Sequence, residues 1–249
     1  MPLAGKPIFI IGSPRSGTTL MRSIVDAHPN IFCPTWETGL FVHLGAMLNG
    51  DLLKVMRQEG DRFPLSRVEL IDWARQAATQ LLERFGARSG KARWAEKTPA
   101  HVHHVDLIRE VFPDVQFVHM IRNGYDVVKS LQNMPWAPRR IRWSTQTWVA
   151  SVRAGREAGA RLPGGCYTEV RYEELIRQPR ETLERLCNYL GEPFAPQMLA
   201  FHEPQRNSWK ASLQPLQNRP VNEYQHLGLL ERLQFAWSAG RLMRELGYQ

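Results

Sequence analysis

The run Pro7-Ile8-Phe9-Ile10-Ile11-Gly12-Ser13-Pro14-Arg15-Ser16-Gly17-Thr18-Thr19-Leu20 constrains this chain more than any other stretch. Consecutive apolar residues before Gly12, most of them isoleucine, predict a short strand buried on both faces. Gly12 opens a turn, Pro14 keeps that turn from joining the following helix early, and Gly17 lets the backbone pass close to an anion. From Thr18 onward Leu20, Met21, Ile24 and Val25 recur at helical spacing. The loop is therefore delivered to a helix N-terminus, where free N–H groups and the helix dipole favour phosphate. The spacing from Gly12 to Gly17 is that of a Walker loop, but Thr18 stands where the triphosphate-binding lysine belongs, and the cation sits inside the loop as Arg15. A forked guanidinium there suits one terminal phosphate group better than a metal-bridged triphosphate chain.

Downstream, apolar runs and helical stripes alternate. Ile31-Phe32-Cys33 reads as a short strand leading into the loop Pro34-Thr35-Trp36-Glu37-Thr38, with a short helix from Gly39 to Leu48. Ser66 and Glu69 make a capping box, and Val68, Ile71, Ala74, Ala78, Leu81, Leu82 and Phe85 form a helical stripe that Gly86 stops. Residues 40–90 are thus a helical insertion. Arg93-Trp94-Ala95 reads as a strand, Thr98 and Pro99 as N-cap and first helical residue, and Lys97 lies at that junction. Val115 to Ile121 is a buried strand that Arg122-Asn123-Gly124 turns into a helix. Tyr167 to Tyr172 is a further strand, and two helices follow. A last helix, about 226–246, is expected to bury Leu229, Leu230, Leu233, Trp237, Leu242 and Leu246. The alternation predicts an α/β, three-layer fold of the P-loop NTPase type: a central, mainly parallel sheet with helical insertions, one domain over 1–249, and a ligand crevice at the strands' carboxyl ends.

A formal net charge of +8 fits an anionic ligand and equally fits nucleic acid, so charge alone does not choose. Most basic residues are scattered, with small clusters at Arg139-Arg140-Arg142 and along Arg84 to Arg93. Cys33, Cys166 and Cys187 form no C-x-x-C pair and no even framework, which suggests a reducing compartment. The first strand begins too early to leave room for a leader peptide, and no apolar run is long enough to span a bilayer, so a soluble, cytoplasmic protein is expected. His101 and His104 share a helix face, but no acid or cysteine completes a zinc set around them, and no metal is expected.

The segment Phe117-Val118-His119-Met120-Ile121-Arg122-Asn123-Gly124 ends its strand in a cation where a triphosphate enzyme would place a magnesium-binding aspartate. Together with it, Pro14-Arg15-Ser16-Gly17-Thr18-Thr19 resembles the 5′-phosphosulfate loop of sulfotransferases that use 3′-phosphoadenosine 5′-phosphosulfate (PAPS), in the branch of tyrosylprotein and bacterial sulfotransferases. The resemblance implies that Arg15 clamps the 5′-phosphate while the amides and hydroxyls of Ser16, Gly17, Thr18 and Thr19 fill its remaining acceptors. It implies that Arg122 and Ser130, in an Arg-x7-Ser spacing, hold the 3′-phosphate, that Tyr172 lies near the nucleotide, and that Arg219, in Gln217-Asn218-Arg219-Pro220-Val221-Asn222, is a second phosphate contact. For chemistry, it implies Glu37 as general base toward the acceptor hydroxyl, Lys97 at the bridging oxygen of the leaving group, and Ser208 steadying the sulfonyl. The tyrosylprotein branch carries an arginine a few residues beyond the helix serine, whereas this chain has Met134 and Pro135 there, with Arg139 as the available substitute.

The expected partners are accordingly a nucleotide cosubstrate and a hydroxyl-bearing acceptor, a glycan, a glycolipid or a small natural product, and no nucleic acid. Two other readings stay open. One is a P-loop kinase for a small metabolite, opposed by Thr18 and by the missing strand-end aspartate; the other is a non-catalytic basic nucleotide- or RNA-binding module, supported only by charge.

Overall fold

The computed structural model describes residues 5–60, 65–87, 89–202, 216 and 227–248. Among them run the strands β1 (Ile8–Gly12), β2 (Ile31–Phe32), β3 (Arg93–Lys97), β4 (Gln116–Ile121) and β5 (Tyr167–Arg171). They form one sheet in the order β2, β3, β1, β4, β5, and every pairing is parallel. The register sets Gly12 beside Met120 and Ile121 beside Arg171. The loops that follow β1, β4 and β5 therefore leave the sheet at one edge. The chain passes from β1 to the β2/β3 side and later returns to the β4/β5 side, so the switch point, and with it the crevice, falls between β1 and β4.

Alternation along β1 explains the layers. Ile8 and Ile10 pack with Met21, Ile24, Leu183 and Leu186 on one face of the sheet. Phe9 and Ile11 pack with Phe41, Ala74, Ala78 and Ile108 on the other. The first face is covered by α1 (Thr18–Asp26), α8 (Tyr172–Arg177) and α9 (Pro179–Leu190). The second is covered by α2 (Leu40–Ala46), α4 (Arg67–Ala87) and α5 (Val105–Val111), with α3 (Leu52–Glu59) between the first two in sequence. A third cluster gathers α6 (Gly124–Gln132), α7 (Ile141–Arg161) and α10 (Leu229–Glu245) around Trp148 and Phe235. No described helix is long and apolar enough to cross a membrane.

Several expectations need correction. Thr98 and Pro99 open a 3₁₀ turn, Pro99–His103, rather than an α-helix, and the Thr98 hydroxyl makes no cap; it is drawn sideways into a contact described below. In α4 the capping box is present, with Ser66 N donating to Glu69 at 2.7 Å and Glu69 N to the Ser66 hydroxyl at 3.3 Å, but Val68 and Leu81 of the apolar stripe are exposed. In α10, Leu242 and Leu246 are buried, whereas Leu229, Leu230, Leu233 and Trp237 face outward. That helix carries two apolar stripes, and the one that packs on α6 and α7 is Phe235, Ala239, Leu242 and Met243. Helical periodicity finds a stripe; it does not say which of two stripes meets the core.

β4 is pinned to β5 by a buried polar chain. Tyr167 donates its hydroxyl to Glu169 Oε1 at 3.0 Å, so the 2.6 Å contact between that hydroxyl and His119 Nδ1 has the imidazole as donor. His119 is fully buried against Gly155 of α7, and burial, reinforced by the Arg156 charge, pushes its pKa down to about 3. In the unfolded chain histidine titrates near 6.5, so below that pH the unfolded state binds a proton that the folded state refuses. Stability held above about pH 6.5 is therefore lost as pH falls toward 3, by about 2 kcal/mol between pH 6.5 and 5. Urea unfolding of the wild type and of His119→Gln at pH 7 and 5 checks this: the substitution should flatten the pH dependence, and equal slopes would remove His119 from it.

Candidate active site

The loop between β1 and α1 takes its shape from backbone constraints. Gly12 has φ 146°, and a Cβ there would lie 2.6 Å from the Met120 carbonyl; Gly17 has φ 96°, and a Cβ there would lie 2.6 Å from the Tyr172 ring. Both positions require glycine. Ser16 is buried, and its hydroxyl donates to the Ser13 carbonyl at 2.7 Å. That hydroxyl, with the Ser16 amide that donates to the same carbonyl at 3.2 Å, thus closes the turn instead of facing outward, and Gly17, Thr18 and Thr19 line the crevice. Arg15 has φ 71°, and its Nε donates to the Ser130 hydroxyl at 3.0 Å.

A cavity of about 250 Å³ opens above this loop, lined by Arg15, Gly17, Thr18, Thr19, Arg122 and Tyr172. Arg122 leaves the end of β4, and its guanidinium stacks 4.3 Å from the centre of the Tyr172 ring. One nitrogen donates to the Arg15 carbonyl at 3.4 Å and another lies 3.7 Å from Asp126. Trp148 donates its indole N–H to the Arg122 carbonyl at 3.1 Å, and Asn123 N donates to Glu173 at 2.9 Å, which fixes the strand end against α7 and α8. The pairing of Arg122 with Asp126 and its place in the cavity thus coexist. Arg15, Arg122 and Tyr172, spread over the chain, line one crevice, and Ser130 joins them through its hydrogen bond to Arg15.

A second cavity of about 450 Å³ lies on the other side of the same loop, lined by Pro14, Arg15, Thr18, Thr19, Glu37, Pro99, Ala100 and Trp136. Arg15, Thr18 and Thr19 belong to both cavities and form the wall between them. Lys97, the last residue of β3, stands beside that wall with its side chain 4% exposed. Its ammonium is ion-paired with Glu37, whose side chain is half exposed, and lies 3.5 Å from the Thr19 hydroxyl. A buried ammonium and an accessible carboxylate therefore meet where the two spaces join, an arrangement suited to stabilising a departing oxyanion and taking a proton from an entering hydroxyl.

Ser208 and Arg219 lie outside the described residues. Arg139 is exposed and lines neither cavity. His101 is engaged by a carboxylate, with its Nδ1 2.8 Å from Glu96 Oε2. Nothing local in the sequence marks Thr38, Glu96 and Thr98 as neighbours of the site, because their contacts join segments about 60 residues apart.

Comparison with known proteins is consistent with this geometry. The model of the Sulfotransferase family matches residues 7–196. The nodulation protein NoeE of Sinorhizobium fredii is 28% identical over 211 residues, covering 74% of this chain and 49% of NoeE. The protein-tyrosine sulfotransferase of Drosophila melanogaster is 28% identical over 211 residues, covering 82% of this chain and 40% of that protein. The chain thus spans half or less of these two relatives. Among solved structures, the sulfotransferase domain of the Synechococcus PCC 7002 olefin synthase superposes with a TM-score of 0.66 at 21% identity, covering 95% of each chain, which establishes the shared fold. With the family match extending over most of its length, this chain belongs to the sulfotransferase family.

Proposed function

We propose that the chain acts as one sulfotransferase domain that moves the sulfonyl group from PAPS to a hydroxyl of a glycan, glycolipid or small-molecule acceptor. The observation that carries this reading is the meeting of the two cavities at Arg15, Thr18 and Thr19, with the Lys97–Glu37 pair at the junction. On the nucleotide side, Arg15 and the loop amides hold the 5′-phosphosulfate, and Arg122 with Ser130 holds the 3′-phosphate. Tyr172 keeps the Arg122 guanidinium flat against the crevice wall. On the acceptor side, Glu37 takes the hydroxyl proton as the acceptor oxygen bonds to sulfur, and the bond from sulfur to the bridging oxygen breaks. Lys97 leaves its pairing with Glu37 and stabilises the negative charge that stays on that oxygen. The product nucleotide is 3′,5′-bisphosphoadenosine.

A non-protein acceptor is supported by the lining of the second cavity, where Trp136, Pro99 and Ala100 offer apolar and aromatic surface and Glu37 is the one acid among the described lining residues. It is also supported by Met134 and Pro135, which stand where the tyrosylprotein branch carries its arginine, and by Arg139 lining neither cavity.

Calorimetry with 3′,5′-bisphosphoadenosine against 5′-adenosine monophosphate tests the nucleotide reading. The bisphosphate should bind at least about 10-fold tighter, since a charge-assisted hydrogen bond contributes about 1.5–3 kcal/mol. Arg122→Met should erase most of that difference. Equal affinities in the wild type would sink the reading, and a preference for ATP with magnesium would point to a kinase instead.

A further inference from the structure

We infer that Glu96 is a positioning residue for the reaction: through Thr38, Thr98 and His101 it fixes the loop that carries Glu37 relative to the strand end that carries Lys97. The inference rests on the reading of Glu37 and Lys97 given above. Glu96 precedes Lys97 on β3, and successive residues of a strand point to opposite faces. Lys97 reaches toward Thr19 of α1, while Glu96, 1% exposed, reaches toward the loop before α2. There a single oxygen, Oε1, accepts three hydrogen bonds: from Thr38 N at 3.2 Å, from the Thr38 hydroxyl at 2.8 Å and from the Thr98 hydroxyl at 2.6 Å. The Thr98 hydroxyl in turn accepts from Gly39 N at 3.2 Å. The other oxygen, Oε2, faces His101 Nδ1 at 2.8 Å.

His101 completes the clamp. Its Nε2 accepts the backbone N–H of Phe41 at 3.2 Å, so that nitrogen carries no proton and Nδ1 carries one, 2.8 Å from Glu96 Oε2. The network thereby satisfies amides at the start of α2 that no conventional cap serves, and it spans both neighbours of the reacting pair: Thr38 follows Glu37, and Glu96 precedes Lys97. Burial alone would raise the Glu96 pKa, but His101, Thr98 and Thr38 outweigh it and hold the carboxyl below its ordinary value. A buried carboxylate with one oxygen accepting three hydrogen bonds is held in one orientation. Glu37, half exposed and with Lys97 as its partner, owes its backbone placement to that anion.

Glu96→Gln is the informative substitution. Three donors converge on Oε1, so the amide carbonyl must take that side and its NH₂ must face His101 Nδ1–H. Two donors then oppose each other, and the imidazole can relieve this only by changing tautomer and giving up the Phe41 amide. Misplacement of reacting groups by about 1 Å costs about 10²-fold, so kcat should fall about 10–100-fold. Affinity for 3′,5′-bisphosphoadenosine, measured by calorimetry, should stay within about 2-fold, because the nucleotide cavity contains none of these residues. Thr38→Val, which deletes one of the three donors, should show the same split to a smaller extent and serves if Glu96→Gln fails to fold. Glu37→Gln is assayed beside them. If Glu37→Gln is inactive while folded Glu96→Gln and Thr38→Val turn over at the wild-type rate, the positioning role is overturned and the reading of Glu37 stands. A parallel loss of nucleotide affinity and kcat in Glu96→Gln also overturns it, as general damage. If Glu37→Gln is fully active, the reading of Glu37 itself falls.

Discussion

Lys97→Ala is expected to lower kcat for sulfonyl transfer by about 10²–10³-fold, the usual cost of deleting one preorganised donor aimed at developing charge. The ammonium is well placed for that role because it sits at the carboxyl end of a central strand, is nearly inaccessible, and among the described residues meets Glu37 and the Thr19 hydroxyl. In a site shielded from water a charge interacts more strongly than at the surface, so its contribution grows as the leaving oxygen becomes negative. Binding of 3′,5′-bisphosphoadenosine should change only a few-fold, since Lys97 does not line the cavity proposed for the nucleotide. Single-turnover kinetics with PAPS separates the two effects. Lys97→Arg keeps the charge but puts a planar fork where a compact ammonium fits against Thr19, and should recover only part of the rate. Unchanged turnover in Lys97→Ala would remove Lys97 from the chemistry and leave the pair with Glu37 a structural contact.

What could be read in the sequence divides along chain separation. The β1 strand, its loop and α1 were legible because strand, turn glycines and helical stripe lie within about twenty residues and each obeys a local rule. The end of β4 was legible for the same reason: a buried apolar strand that stops at Arg122 leaves a cation at the sheet's edge. Glu37 and Lys97 could be named, but not their contact, since it depends on β2 and β3 pairing in parallel at the sheet's edge. Thr98 and His101 illustrate the limit. Threonine before proline has the form of a helix cap, and histidines three apart have the form of a metal pair. A buried carboxylate at Glu96, two residues before Thr98, claims both, and only the packing of β3 against the loop before α2 buries that acid. In α10 the two apolar stripes are equally periodic, and only the tertiary partner Trp148 decides between them.

Arg15→Ala and Arg15→Gly are expected to lose transfer together and to differ in stability. Arg15 is the one residue other than glycine with positive φ among those described, at 71°. Arg15 lines both cavities, its side chain donates to Ser130 and its carbonyl receives Arg122, so one residue links the two sites proposed for the nucleotide's phosphates. Removing the guanidinium in either variant should weaken 3′,5′-bisphosphoadenosine by about 10–100-fold, the equivalent of one charged hydrogen bond, and lower kcat by about 10²-fold or more. The backbone separates them. A left-handed conformation costs a residue with a Cβ about 1–2 kcal/mol, which glycine avoids. Glycine's extra freedom in the unfolded chain returns about 0.4–1 kcal/mol of that. Arg15→Gly should therefore be more stable than Arg15→Ala by up to about 1.6 kcal/mol, or up to about 6 °C in melting temperature for a chain of this size. Strain at a ligand-binding loop persists when the conformation serves the site better than a relaxed one would. Here the turn at Arg15 places a cation on the wall between the two cavities. Coincident melting curves for the two variants would show that the turn carries no such cost, and transfer surviving in Arg15→Gly would show that the guanidinium is dispensable.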